Sequence, residues 1–251
     1  MFFPPKGLNQ TPADVGISYE DVWLSVGDGD APEKVHGWWI PAVADDAPVV
    51  IYLHGNGSNI SDNMERGLRF QRLGAHVLMI DYRGYGQSVG PFPNEQRVYE
   101  DAEAAWTHLT QQRQISADDI VIYGQSIGGA IAINLASNHP DAAGLIIEST
   151  FSSMRDMVSN NFPGLPWVVP IDWLLTNRFE SDKKVRSLPM PILIMHGTTD
   201  RVIPFSIGQK LYAALPDNHT ALWIENAGHS DMPDVGGEEY ENALETFLNQ
   251  R

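Results

Sequence analysis

The run Gly124-Gln125-Ser126-Ile127-Gly128-Gly129 sets a hydroxyl between glycines placed two residues before and two after it. It follows the apolar run Ile120–Tyr123 and precedes a segment that is apolar on nearly every side, Ile127 to Ala136. A strand that turns sharply into a helix crowds its own backbone, and glycines at those two positions leave room for the turn. Ser126 would then stand exposed at a helix N-terminus, in a nucleophile's position. The plainer alternative is a glycine-rich helix cap with Ser126 as N-cap.

A serine hydroxyl is a weak nucleophile, so it needs a base, and the base needs an orienting acid. Of the eight histidines, His229 in Ala227-Gly228-His229-Ser230-Asp231 follows the last strand-like run, where a loop can reach back over a sheet edge. His108, His139 and His219 read as helix-surface or turn residues. His36 sits in an edge hairpin and His76 begins a strand. His54 and His196 precede glycines at strand ends, where a structural hydrogen bond is the expected role. The acid is read as Asp200, in His196-Gly197-Thr198-Thr199-Asp200-Arg201-Val202-Ile203-Pro204, with Glu148 as rival and an Asx turn as the bland reading. Its role would be to fix the imidazole tautomer and to stabilise the imidazolium. Acyl transfer also builds an oxyanion, which two backbone amides can hold. Ile127, next after the serine, and Asn56, in His54-Gly55-Asn56-Gly57, are the expected donors.

These groups can meet only if several elements deliver them to one edge. Six apolar runs without alternation (Val49–Leu53, Val77–Ile80, Ile120–Tyr123, Leu145–Ile147, Ile192–Met195 and Ala221–Ile224) read as strands covered on both faces. Two earlier segments, Tyr19–Val26 and Val35–Ile40, flank Gly27-Asp28-Gly29-Asp30 and read as an antiparallel hairpin. Between the runs lie helical faces, Val98/Ala102/Ala105/Leu109 and Tyr240/Ala243/Leu244/Phe247/Leu248. Strand–helix–strand alternation implies a three-layer α/β domain, with an eight-stranded, mostly parallel sheet and helices on both faces. No linker divides residues 1–251, so one domain is expected. Residues 151–188 break the rhythm, with Pro163, Pro166 and Pro170 among large apolar groups. They read as a short helical excursion over the site, in which Phe151, Met154, Phe162, Trp167, Trp173 and Leu174 would line the substrate pocket. The competing reading is that this face only packs on the sheet.

The chain order Ser126, Asp200, His229 is that of the α/β hydrolases. With Tyr19-Glu20-Asp21-Val22, Asp81-Tyr82-Arg83-Gly84-Tyr85-Gly86 and Glu148-Ser149-Thr150-Phe151 it resembles the BEM46-like serine hydrolases, near the ABHD13- and ABHD17-like group. The likeness spans nearly the whole chain and includes no large cap domain. It implies hydrolysis of carboxylic esters or thioesters through an acyl-enzyme, with no metal and no cofactor, and names no substrate. Many members of that group carry an N-terminal hydrophobic anchor, and this sequence begins where such an anchor would end. A cytoplasmic chain and a membrane-tethered one are both compatible with that.

Composition removes other classes. With 32 acidic and 16 basic residues the net charge is -16, which repels nucleic acid and disfavours anionic substrates. The absence of cysteine excludes thiol nucleophiles, zinc–thiolate sites and disulfides. No apolar run is long enough to span a bilayer. A serine at 126 argues against the carboxylate nucleophile of haloalkane dehalogenases. Gly27-Asp28-Gly29-Asp30 lacks the further oxygen ligands that Ca²⁺ needs. The expected partner is therefore a small ester or thioester with a short to medium apolar acyl group. An acyltransferase, a peptidase on the same triad, and a non-catalytic ligand receptor with a hydrolase fold are the alternatives.

Overall fold

A run such as Val49–Leu53 has no polar face, and only cover on both sides satisfies it. The computed structural model describes residues 2–27, 33–162 and 175–250. In it all six runs are strands: β3 (Val49–Leu53), β4 (His76–Ile80), β5 (Ile120–Gln125), β6 (Gly144–Glu148), β7 (Ile192–Gly197) and β8 (His219–Ile224). The hairpin supplies β1 (Glu20–Val26) and β2 (Glu33–Ile40), paired antiparallel from Glu20↔Trp39 to Val26↔Glu33. Gly27 leads into this connection, and Asp28, Gly29 and Asp30 lie outside the described residues.

The eight strands form one sheet in the order β1-β2-β4-β3-β5-β6-β7-β8. β2 runs antiparallel to β4, and from β4 to β8 every pairing is parallel. Period-two alternation sorts each central strand between two cores. Ile51, Leu53, Ile122 and Ile147 face a cluster built with α2 (Glu95–Thr107) and α3 (Ile127–Asn138). Val50, Tyr52, Val121 and Ile146 face the other, built with α1 (Met64–Arg72) and α7 (Met232–Leu248). Each buried aliphatic side chain in these layers contributes about 1.5–3 kcal/mol. The predicted faces pack: Val98, Ala102 and Ala105 of α2 and Leu109 in the turn after it are fully buried, and on α7 Tyr240, Leu244, Phe247 and Leu248 are nearly so while Ala243 is half-buried. α2 starts where the Asn94 side chain accepts the Arg97 amide at 2.9 Å, which satisfies one orphan donor of the first turn.

β8 departs from expectation. It begins at His219, earlier than its apolar run, and most of its residues are only half-buried. It is an edge strand, so one side of it lacks a neighbour and polar residues are tolerated there. The excursion after β6 contains α4 (Met154–Asn161) and the single turn α5 (Ser181–Lys184), and α6 (Phe205–Tyr212) follows β7. Among the described residues no large cap domain interrupts the alternation.

The strand order reverses at β3, which has β4 on one side and β5 on the other. Open α/β sheets form their crevice at the carboxyl ends of strands at such a switch point. Gly55 and Asn56 leave β3 there, and Ser126 leaves β5 beside them.

Candidate active site

Ser126 sits at φ 55°, ψ -121°, in a backbone region that costs a non-glycine residue about 1–3 kcal/mol. Its neighbours hold it there. The Ser126 amide donates to the Glu148 carbonyl at 2.8 Å. The Ser126 carbonyl accepts the Gly129 amide at 3.0 Å and the Thr150 hydroxyl at 2.7 Å. The flanking glycines are needed for space: a Cβ on Gly124 would lie 2.1 Å from the Gly128 carbonyl oxygen, and one on Gly128 would lie 2.1 Å from that of Leu53. The sharp strand-to-helix turn expected from sequence is thus a consequence of backbone-on-backbone packing.

Beyond β6, the loops that follow β7 and β8 bring Asp200 Oδ2 and His229 Nδ1 to 2.7 Å from each other. The other carboxylate oxygen of Asp200 accepts the amides of Val202 at 2.8 Å and Ile203 at 2.9 Å. Burial alone would push this carboxyl up. The contacts from His196 and His229, the His229 charge and the Ile203 amide outweigh it and hold Asp200 well below the usual carboxylate range. An ionised Asp200 selects the tautomer with a proton on Nδ1, which leaves Nε2 as the basic atom. Glu148, the rival acid, makes no contact with the imidazole. It is fully buried and pairs with Arg66 Nη1 at 2.6 Å.

Ser126 and His229 line one cleft of about 350 Å³, with Gly55, Asn56, Ser58, Asp62, Asn63 and Arg66 among its walls. Among the described residues no hydrogen bond links the Ser126 hydroxyl to the imidazole. Ile127 begins α3, so its amide is one of the first-turn donors that helix geometry leaves without an intrahelical acceptor. Asn56 is held by its side chain, whose Oδ1 accepts the Tyr85 hydroxyl at 2.7 Å and the Phe3 amide at 2.8 Å. Residues 3–7 therefore run along the rim, tied also by Gly86 N to the Pro5 carbonyl at 2.8 Å and Gly7 N to the Gly86 carbonyl at 3.1 Å.

The remaining histidines have structural partners: His36 pairs with Asp21, His76 accepts the Ala42 amide, His108 bonds Gln112, His139 pairs with Glu103 while stacking on Trp106, and His219 contacts the Pro216 carbonyl. His54 and His196 contact main-chain carbonyls, of Gly55 at 2.7 Å and Ile203 at 2.9 Å.

The predicted pocket residues of the excursion do not line this cleft where they are described. Phe151 is buried in the core, 6.1 Å from the Phe179 ring centroid. Met154 packs half-buried on that core, and Phe162 is exposed. Trp167, Trp173 and Leu174 lie outside the described residues. The lining is instead mostly polar.

Sequence reasoning missed Arg66, Tyr85, Tyr123 and Tyr240. Tyr123 and Tyr240 each donate to Glu148 Oε2 at 2.7 Å. Burial, followed by the Glu148 charge, pushes both phenols far up, so they remain protonated donors. Tyr123 and Tyr240 carry no sequence signal beyond apolar periodicity. Tyr85 lies in the Asp81–Gly86 motif, which the sequence marks as a loop beside the site with no chemical role, and its hydroxyl contact with Asn56 carries no sequence signal.

Residues 44–183, more than half of the chain, match the family model described as "Serine aminopeptidase, S33". The alpha/beta hydrolase domain-containing protein WAV2 of Arabidopsis thaliana is 31% identical, over 98% of this chain and 83% of its own length. An uncharacterized protein of Mycobacterium tuberculosis is 30% identical, over 100% and 86%. The Pyrococcus furiosus esterase Pf2001 superposes with a TM-score of 0.78 at 24% identity, covering 98% of each chain. An alpha-beta hydrolase from Vibrio vulnificus superposes with a TM-score of 0.75 at 26% identity, over 94% and 82%. The fold, the order of its elements and these likenesses converge: the chain belongs to the serine aminopeptidase S33 family of α/β hydrolases, and it is a hydrolase.

Proposed function

We propose that the chain is a serine hydrolase that cleaves carboxylic esters or thioesters through an acyl-enzyme on Ser126. The observation that carries this reading is the 2.7 Å His229–Asp200 contact at the cleft that Ser126 also lines. In the first step His229 Nε2 takes the hydroxyl proton as Ser126 Oγ attacks the carbonyl carbon. The carbonyl oxygen gains the electron pair and is held by the Ile127 and Asn56 amides. Collapse expels the alcohol or thiol, which leaves with the proton from His229. Water then repeats the sequence and releases the acid. Serine–histidine hydrogen bonds of this kind commonly tighten only with substrate in place.

A cleft of about 350 Å³ fits a small ester. Its polar walls suit the carbonyl and the alcohol portion, and short to medium apolar acyl groups are the proposed acyl class. Ser126→Ala should abolish both turnover of an aryl acetate and labelling by a fluorophosphonate. Retained labelling at wild-type rate would sink the assignment. A panel of aryl esters of rising acyl length sets the acyl class, and a preference for anionic acyl groups would contradict it.

The second reading is an aminopeptidase, favoured by the family description and by the Asp62 carboxylate on the cleft wall, where a substrate ammonium could pair. Faster turnover of aminoacyl anilides than of the matched aryl esters would favour it.

A further inference from the structure

The loop that carries His229 is held from the far side by a residue 164 positions earlier in the chain. Arg66, on α1, splits its guanidinium between two acceptors. Nη1 donates to Glu148 Oε1 at 2.6 Å, and Nη2 donates to the carbonyl of Ser230 at 2.6 Å. Ser230 directly follows the proposed base. Glu148 is fully buried at the carboxyl end of β6, and its second oxygen is occupied by Tyr123 of β5 and Tyr240 of α7. The main-chain carbonyl of that same Glu148 accepts the Ser126 amide at 2.8 Å. One residue is thus fastened directly to the turn that bears the hydroxyl and, through Arg66, to the loop that bears the imidazole.

The other restraints on the loop leave a degree of freedom that this clamp removes. Asp200 holds the ring at Nδ1, the Gly228 amide donates to Asp231 Oδ1 at 2.6 Å within the loop itself, and Thr198 and Thr199, just past β7, bond the main chain of Asn226 and Ala227 at 2.9–3.1 Å. All of these tie the loop to the segment after β7 or to itself, and none ties it to β5 or β6. Arg66 does, because its fork is planar and both arms are engaged, one on a carboxylate that β6, β5 and α7 immobilise. A lysine could keep the charge and reach one acceptor, but could not span both in a fixed geometry.

We propose that Arg66, seated on Glu148, is a positioning residue that sets the distance between the His229 imidazole and the Ser126 hydroxyl. The proposal rests on the serine-hydrolase reading above. Arg66 works through the Ser230 carbonyl and does not take a proton. A misplacement of the base by about 1 Å costs on the order of 10²-fold in rate, so the effect belongs in kcat.

The test compares Arg66→Gln, Arg66→Lys and a control, Arg113→Gln, in the full chain with an aryl acetate as substrate. Arg113 is also partly buried, pairs with Glu20 at 2.6 Å and lies over the Trp39 ring at 4.2 Å, near the opposite end of the sheet. The expected result is a kcat loss of about 10- to 100-fold in Arg66→Gln, with KM within about two-fold of wild type. Arg66→Lys should fall between, and Arg113→Gln should lower thermal stability while keeping kcat. The low-field proton resonance of the His229–Asp200 hydrogen bond should broaden or move in Arg66→Lys and stay in place in Arg113→Gln. Should Arg66→Gln fail to fold, Arg66→Lys and its resonance carry the decision. An unchanged kcat and an unchanged resonance in a folded Arg66 variant would overturn the proposal, as would a loss confined to KM. Failure of the underlying reading is a separate outcome, since Ser126→Ala would then retain activity.

Discussion

Asp200 shows how much a single carboxylate can be made to do. Its two main-chain donors fix the direction of the free lone pair, and that lone pair is where His229 Nδ1 lies. Asp200→Asn keeps the shape but presents the wrong partner to the ring, so kcat should fall by about 10⁴-fold, measured with the aryl acetate. The same residue has a stability signature. Its folded value lies below the unfolded one of about 3.9. Its contribution is therefore fully present above that value and is lost as pH falls through the folded value. Urea unfolding of wild type and Asp200→Asn should differ most near neutral pH, and the gap should close below about pH 4. A gap that widens on acidification would contradict the depressed carboxyl. Sequence alone favoured Asp200 over Glu148 by its place after β7. The structure adds the reason Glu148 is unsuited: its oxygens are already committed to Arg66, Tyr123 and Tyr240.

At the scale of elements, the turn from β5 into α3 depends on the approach of α3 to β3. Gly128→Ala would push a Cβ to 2.1 Å from the Leu53 carbonyl oxygen and 2.6 Å from that of His54. Overpacking of this kind costs about 1–3 kcal/mol, and the melting temperature should drop by at least several degrees. Activity should fall further than stability, because the helix that presents the Ile127 amide would shift. Gly57→Ala is the contrast. Its φ of 76° strains a side chain, but nothing lies within 4 Å, so only a backbone cost of about 1–2 kcal/mol is expected. Equal melting temperatures for the two variants would show that the close approach is not limiting. The strands of this framework were legible because burial on both faces leaves an apolar run. β8 was half-legible, since an edge strand is covered on fewer sides. The clamp of Arg66 was not legible: its partners lie 82 and 164 positions away, and no local pattern records a contact of that span. For the excursion, hydrophobicity gave Phe151 and Met154 the same signature whether they pack on the core or face a ligand, and they pack on the core.

For the molecule as a whole, a net charge of -16 acts before any contact is made. Anionic esters should be disfavoured at low salt, and screening should relieve them. Raising ionic strength from 0.01 M to 0.15 M shortens the Debye length from about 30 Å to about 8 Å. The kcat/KM of an anionic aryl ester should therefore rise several-fold, while that of a neutral one stays level. A salt-independent ratio between the two would show that the global field does not reach the cleft. No described helix is long and apolar enough to cross a membrane. Residues 3–7 reach the loop proposed to hold the oxyanion, since the Phe3 amide donates to the Asn56 side chain. For anyone purifying or immobilising this protein, that decides where a handle belongs. A surface linker coupled at the exposed Lys6 would tug on the residue proposed to cradle the developing negative charge, whereas one coupled at the exposed Glu245 of α7 would leave it alone.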